Sequence, residues 1–253
     1  MKIAAAFAVM LALALPAVAQ EEAMPPLPHP GWSFDGVFGT YDRAALQRGF
    51  QIYSEVCSAC HSMNLLHYGD LAALGYTDDE IKAIAAQKQV NDLDDQGNVV
   101  QRPARPADAF VAPYPNDKAA RAAHNGALPP DLSLITKARE GGPDYVYGIL
   151  TGFESAPANF KMQDGMSYNM HFPGHQIAMP QPLADNSVTF ADGTQATLPQ
   201  EAHDVVTFLQ WAAEPKMEER KTTGAKVMLF LLVMTGLLYG AKRKIWADLH
   251  QHA

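Results

Sequence analysis

Five consecutive residues, Cys57-Ser58-Ala59-Cys60-His61, form the most chemically specific pattern in this chain. Cys-x-x-Cys-His is the attachment pattern of c-type haem, in which both thiols form thioether bonds to the haem and the histidine becomes an axial ligand of the iron. Two intervening residues let the sulfurs span the two vinyl groups, and the next peptide places His61 under the iron. The pattern predicts one haem c, bound covalently through Cys57 and Cys60.

Two other kinds of site use a Cys-x-x-Cys pair, a redox dithiol and half of a zinc site. A zinc site needs a second Cys or His pair at short spacing, and the sequence has none. The chain contains only two cysteines, so haem attachment would leave no thiol for a disulfide. The adjacent histidine and the predicted export of the chain favour haem.

The iron would have a second axial position, which decides between two kinds of haem protein. An open position binds gas or peroxide, whereas a strong second ligand leaves only electron transfer, and a methionine thioether raises the reduction potential. Met179 is favoured because Pro180 stiffens a nonhelical loop around it. The residues alone leave the choice open among Met162, Met166, Met170 and Met179, with His67, His124, His171 and His175 as rivals.

Residues 1–19 have the features of a secretory signal peptide. Lys2 is followed by an apolar run and by the small-x-small cleavage pattern Ala17-Val18-Ala19. The alternative is a first membrane anchor, but the apolar run is short. The mature chain is therefore predicted to be exported, which suits covalent haem attachment outside the cytoplasm.

A second apolar stretch, Val227 to Ala241, contains no charged residue. Fifteen helical residues rise only about 22 Å, short of a hydrocarbon core of about 30 Å. With its flanks, residues 223–246, the stretch is long enough to span. A buried core helix is the alternative, but the stretch is apolar all round. We expect one transmembrane helix followed by a short cytoplasmic tail, residues 247–253.

The region between the two apolar segments, residues 20–222, is predicted to be an exported head, and its net charge is negative. Residues 20–226 carry 15 Lys and Arg against 26 Asp and Glu, a net charge of −11. That field repels nucleic acid and attracts a basic protein partner.

The pattern of caps and apolar spacing predicts a mainly α fold with long irregular insertions. A helix capped by Asp42 runs to about Val56 and leads into the haem motif. The other predicted helices are 77–88, 116–123, 131–139, 143–153 and 199–213, the last continuing into the membrane anchor. Residues 91–101 are predicted to be an acidic loop, and residues 188–197 a small β-hairpin around Asp192-Gly193.

Several motifs in the same order resemble the cytochrome c1 family over essentially the whole mature chain. They are CSACH at 57–61, PYPN at 113–116, NGALPPDLS at 125–133, ARxGGxDYVYGILTGF at 138–153, FPGHQIAMPQPL at 172–183 and FLQWAAEP at 208–215. The resemblance implies a cytochrome c-like haem domain with haem on Cys57 and Cys60. It also implies axial ligation by His61 and Met179, propionate contacts from Arg139 and Tyr145, and a pocket lined by Pro129 and Pro130.

The resemblance also implies a function. A family member is the haem subunit of the quinol-oxidising cytochrome bc1 complex, and carries single electrons from the Rieske iron–sulfur protein to a soluble, basic c-type cytochrome. Its anchor packs in membrane lipid beside cytochrome b, in a dimeric complex. The chain would be a single-pass protein of a bacterial inner membrane with its head in the periplasm. The alternatives are an independent membrane-anchored carrier and an open-site haem enzyme or gas sensor.

Overall fold

The structure is a computed structural model that describes residues 24–247. The predicted signal peptide, residues 1–19, lies outside the described residues, as does all of the predicted tail except Ala247.

Within the described part, the fold is mainly helical, as predicted, with two small antiparallel strand pairs. The six α-helices are α1 Arg43–Glu55, α2 Asp78–Ala86, α3 Asp117–Ala123, α4 Gly142–Thr151, α5 Leu198–Ala213 and α6 Met217–Trp246. The strands are β1 Gln89–Leu93, β2 Val99–Pro103, β3 Ser167–Tyr168 and β4 Gln176–Ile177. Strands β1 and β2 pair with each other, as do β3 and β4.

The centre of the head is the packing of α1 along α5, with α4 against another side of α5. Asp42 begins α1 as predicted, because its carboxylate accepts hydrogen bonds from the backbone N–H groups of Ala44 and Ala45. The ring centroids of Phe50 and Phe208 lie 5.7 Å apart in the buried seam. The seam is close, since a Cβ on Gly49 would lie 2.1 Å from the carbonyl oxygen of Asp204.

Two shorter helices begin where their caps predict. Thr77 and Glu80 form a reciprocal capping box at the start of α2, and Asn116 accepts a hydrogen bond from the backbone N–H of Ala119 at the start of α3. These caps depend only on neighbouring residues, so they are readable from the sequence.

The predicted loop at 91–101 is wrong, because most of it forms the β1–β2 hairpin. The tight connection includes Gly97, whose φ is +83°. The Arg102 guanidinium bonds the carboxylates of Asp92 and Asp108, and these side-chain contacts add to the backbone pairing of two mostly exposed strands. A small hairpin is present, but at a different place from the one predicted.

The predicted hairpin at 188–197 contains no strand. The segment is instead held by side chains, because Val188 and Phe190 are buried in the core and Asp192 pairs with Arg48 at 2.8 Å. The Arg48 guanidinium also lies 5.8 Å from the centroid of the Phe190 ring. Side-chain contacts therefore hold residues 188–197 in place, and the strand pairing predicted from the Asp192-Gly193 turn does not form.

The long C-terminal helix, α6, is separate from α5. The helix α5 ends at Ala213, and Glu214, Pro215 and Lys216 break the chain before α6 begins at Met217. The predicted continuous helix is therefore wrong, since Pro215 lacks the N–H that a helix needs. The 30 residues of α6 extend about 45 Å. Its most apolar window has a mean hydropathy of 1.7, and none of that window is buried against the head.

Candidate haem site

The haem motif lies in a tight turn directly after α1. The helix ends at Glu55, and the residues Cys57–Ala59 form one turn of 3₁₀ helix. The N–H groups of Cys60 and His61 both donate to the carbonyl of Cys57, at 3.1 and 2.9 Å. The turn therefore brings the two thiols and the imidazole together on a short, hydrogen-bonded stretch.

The two cysteines are half-buried, and neither is in a disulfide. Burial raises the pKa of the Cys57 thiol to about 12. A redox dithiol needs the opposite, a thiol pKa lowered so that the nucleophilic thiolate is present near neutral pH. The surroundings of Cys57 thus argue against a thioredoxin-like role and fit a thiol consumed by a covalent attachment.

The imidazole of His61 is oriented by a backbone carbonyl. Its Nδ1 lies 2.8 Å from the carbonyl oxygen of Pro130. A carbonyl only accepts, so Nδ1 carries the proton and Nε2 keeps its lone pair for a metal ion. Burial lowers the pKa of His61, and the hydrogen bond to Pro130 partly opposes that change. A neutral imidazole with a free Nε2 is what haem iron requires, so the residues present fit the cofactor.

Asp131 fixes the carbonyl of Pro130 in place. Its carboxylate accepts from the hydroxyl of Ser62 at 2.8 Å and from the backbone N–H of Asn64 and Ser133, both at 2.9 Å. These bonds tie the residues after the haem motif to the residues after Pro130. No local pattern identifies this cross-linking role of Asp131, because Ser62 and Asn64 lie 69 and 67 residues away.

The same cross-link explains why the predicted helix at 131–139 is absent. Leu132 donates its N–H to Ser62, and the hydroxyl of Ser133 accepts from the N–H of Leu65 at 3.1 Å. The backbone after Asp131 therefore follows residues 62–65 and continues as a series of turns.

Four other residues predicted to line the haem pocket lie within about 15 residues of Asp131 in the sequence: Pro129, Pro130, Arg139 and Tyr145. Pro129 is half-buried and Pro130 is exposed. Arg139 is exposed and its guanidinium donates to the carbonyl of Ala138 at 3.0 Å. Tyr145 lies in the first half of α4, where burial raises the pKa of its hydroxyl and the charge of nearby Arg139 opposes that change. The charge of Arg139 thus acts on the Tyr145 hydroxyl, while the contacts of both residues with a propionate stay a prediction.

Met179 follows β4, on a bend two residues after Ile177, and it is half-buried. The pairing of β4 with β3 fixes the backbone just before it, with Tyr168 opposite Gln176. The three competing methionines, Met162, Met166 and Met170, are also half-buried in the irregular segment that leads to β4. Ligation by Met179 therefore stays a prediction.

Three of the four rival histidines have side-chain partners. Nδ1 of His67 lies 3.8 Å from the Asp70 carboxylate, and Nε2 of His124 lies 3.0 Å from the Tyr114 hydroxyl. His175 is buried, stacks on Tyr168 and has Nδ1 at 3.3 Å from a backbone carbonyl. The fourth, His171, is buried and would lie 3.2 Å from a Cβ placed on Gly148 of α4. The buried Nδ1 of His171 has no hydrogen-bond partner among the described residues, so the choice of a methionine over a histidine as second ligand stays a prediction.

Comparison with known proteins agrees with this site. Residues 32–249 match the model of the Cytochrome C1 family. The chain is 48% identical to "Cytochrome c1" of Rhodospirillum rubrum, with 86% of each chain covered. It is 47% identical to "Cytochrome c1, heme protein, mitochondrial" of Schizosaccharomyces pombe, over 86% of this chain and 71% of that protein.

A longer relative is also similar. "Cytochrome b/c1" of Bradyrhizobium diazoefficiens is 47% identical over 87% of this chain, which spans only 35% of that protein's length. The family match covers the haem turn, the Pro130 carbonyl that orients His61, and the apolar helix α6. The chain therefore belongs to the cytochrome c1 family, whose haem c is bound covalently.

Proposed function

We propose that this chain carries single electrons in a cytochrome bc1 complex, taking each electron from a Rieske iron–sulfur protein and passing it to a soluble c-type cytochrome. The observation that carries the proposal is the haem turn, with His61 held by Pro130 through Nδ1, in a chain of the cytochrome c1 family. When bound, the haem supplies an iron that changes oxidation state by one electron. The chain is thus an electron-transfer subunit of an oxidoreductase and needs no acid, base or nucleophile of its own.

Each site residue has a task in this proposal. Cys57 and Cys60 would hold the haem through thioether bonds, and His61 and Met179 would ligate its iron. Arg139 offers a charge-assisted partner to a propionate, and Tyr145 a second polar contact. Pro129 and Pro130 form a rigid wall of the pocket. Filling both axial positions would exclude oxygen and peroxide and leave electron transfer alone.

The proposed setting follows from the apolar helix and the predicted export. The helix α6 makes the chain a single-pass membrane protein, with the head in the periplasm and the helix in the lipid of a bacterial inner membrane. Cytochrome b would pack beside α6, and the whole complex would be dimeric. The proposal divides the chain into four segments: a leader at 1–19, the head at 20–222, the anchor at 223–246 and the tail at 247–253. In the structure, α6 begins at Met217, six residues before the proposed anchor.

A difference spectrum tests the proposal. The tagged full chain is extracted with a mild detergent and purified, and its reduced-minus-oxidised visible spectrum is recorded. A c-type band accompanied by b-type bands is expected, because the subunit should copurify with cytochrome b. A c-type band alone after gentle extraction would support an independent membrane-anchored carrier, and carbon monoxide binding by the unmodified protein would support an open-site enzyme or sensor.

A further inference from the structure

A short apolar loop projects from the surface of the head just before α1. Its tip residues Val37 and Phe38 are 67% and 89% exposed. The aromatic residues on either side of the loop, Phe34 and Tyr41, are buried and pack against each other with ring centroids 5.6 Å apart. The loop therefore has a fixed base, and only its tip presents apolar side chains to the surroundings.

The loop has a defined backbone shape. The N–H of Thr40 donates to the carbonyl of Ser33 at 3.0 Å and closes the loop. Inside it, Gly36 has a φ of +68°, and a Cβ on Gly39 would lie 2.0 Å from the carbonyl oxygen of Asp35. The tight turn needs glycine at both places. The exposure of Val37 and Phe38 therefore follows from the defined conformation of this turn.

The loop is fastened to the first turns of α6. The ammonium of Lys221 donates to the carbonyl oxygens of Phe34 and Gly39, at 2.6 and 3.1 Å, so it joins the two ends of the loop. Glu218, one turn earlier in the helix, accepts from the N–H of Tyr41 at 2.7 Å and pairs with Arg43 at 2.8 Å. The loop is therefore held against the helix that leads into the membrane.

The position of Lys221 along α6 sets the level of the loop. The proposed anchor begins at residue 223, two residues later, which is a rise of about 3 Å. A headgroup layer is about 5–7 Å thick on each side of the hydrocarbon core. With the core beginning near residue 223, Lys221 lies at the depth of the headgroup layer, and so do the two ends of the loop that it joins.

We propose that Val37 and Phe38 enter the lipid headgroup layer and form a second contact between the head and the membrane. Aromatic and aliphatic side chains partition favourably into this layer. The bonds of Glu218 and Lys221 hold the head to α6, but a single spanning helix does not set the tilt of the two together in the membrane, and a second contact would fix that tilt. The inference rests on α6 spanning the membrane and is independent of the proposed electron transfer.

A spin label at position 38 tests the proposal. The two native cysteines are in the haem motif and are consumed by attachment, so a Phe38→Cys variant of the haem-loaded full chain offers one free thiol. The labelled chain is placed in phosphatidylcholine–phosphatidylglycerol vesicles, and its relaxation by oxygen and by a water-soluble nickel chelate is measured. Oxygen, which concentrates in lipid, should dominate at position 38.

A matched control uses the hairpin. Val99 on β2 is 69% exposed, close to the value for Val37, and its strand pairs with β1. A label on Val99→Cys should be relaxed mainly by nickel. Nickel dominating at position 38 as well would place the loop in water, and protection from both reagents would place it against protein; either result overturns the proposal.

The fastening by Lys221 gives a second, independent measurement. Lys221→Met keeps the apolar stem of the side chain and removes both hydrogen bonds to the loop. In this background the label at position 38 should become more mobile and more accessible to nickel. The haem spectrum should stay unchanged, which separates this result from a failure of the proposed function. No change in the label would contradict the role of Lys221 in holding the loop at the membrane.

Discussion

At the scale of single residues, His61 shows how the fold prepares a ligand. The imidazole is oriented by the backbone carbonyl of Pro130, and Asp131 anchors that stretch through two hydrogen bonds to residues 62–64 and one to the nearby N–H of Ser133. Partners of this kind set the tautomer and the orientation of a metal-binding histidine. The proximal side of the site is therefore positioned by contacts remote in sequence.

The proposed second ligand is tested by Met179→Leu. Loss of the thioether should lower the reduction potential, on the order of 0.1 V within the roughly 0.8 V range that axial ligands control. It should also let the reduced protein bind carbon monoxide. Redox titration and a carbon monoxide difference spectrum measure the two effects. Met166→Leu, a change in the same irregular segment, is the control and should alter neither, and an unchanged potential without carbon monoxide binding would exclude Met179.

At the scale of elements, the crossing of α1 and α5 depends on Gly49. A Cβ there would lie 2.1 Å from the carbonyl oxygen of Asp204 and 2.7 Å from the Cβ of Phe208. Gly49→Ala should therefore destabilise the head by about 1–3 kcal/mol through overpacking, measured by chemical denaturation. Gly224→Ala is the control, because no atom lies within 4 Å of its added Cβ. Equal stability of the two variants would show that the helices can separate without cost.

The segment before α1 is held to α4 by a titratable pair. Nδ1 of His29 lies 2.9 Å from the Asp144 carboxylate and Nε2 lies 3.3 Å from Asp35, while Trp32 donates to Asp144 at 2.6 Å. The hydrogen bond to Asp144, followed by the charge of Asp144, raises the pKa of His29 above 6.5. A raised pKa means that the contact stabilises fully below about pH 6.5 and is lost as the pH rises through the folded-state pKa.

Amide hydrogen exchange over residues 24–32 measures this loss. After correction for the intrinsic rate, exchange should increase between about pH 5.5 and about pH 8.5, because deprotonated His29 no longer attracts the two carboxylates. His29→Gln should exchange quickly at both pH values. Identical protection of the unmodified segment across this range would show that His29 does not hold it.

At the scale of the whole molecule, the charge of −11 on residues 20–226 predicts electrostatic steering. Raising the ionic strength from about 0.01 to about 0.15 M shortens the Debye length from about 30 to about 8 Å. The second-order rate of electron transfer to a basic cytochrome should fall by about tenfold or more. Stopped-flow kinetics measure the rate, with an acidic acceptor as control. A rate to the basic cytochrome that is indifferent to salt would remove the steering role.

Several parts of the protein are predictable from the sequence because they depend on local interactions. Spacing along the chain predicts three such features: the haem motif, the helix caps at Asp42, Thr77 and Asn116, and the apolar span of α6. Each of them depends on neighbouring residues. The order of motifs also determined the family.

Other parts depend on competition between partners that are distant in sequence, and the folded chain is needed to see them. Residues 131–139 have helical spacing, but the N–H of Leu132 and the hydroxyl of Ser133 bond the backbone of Ser62 and Leu65, and turns form in place of a helix. The ion pairs of Arg102 with Asp92 and Asp108 stabilise a hairpin in an acidic stretch whose composition is typical of a loop. Two further contacts join groups that are far apart in the chain: Pro130 bonds His61, and Lys221 bonds the two ends of the loop around Val37. Sequence spacing cannot reveal such contacts, because the folding of the intervening residues sets the distance between the groups.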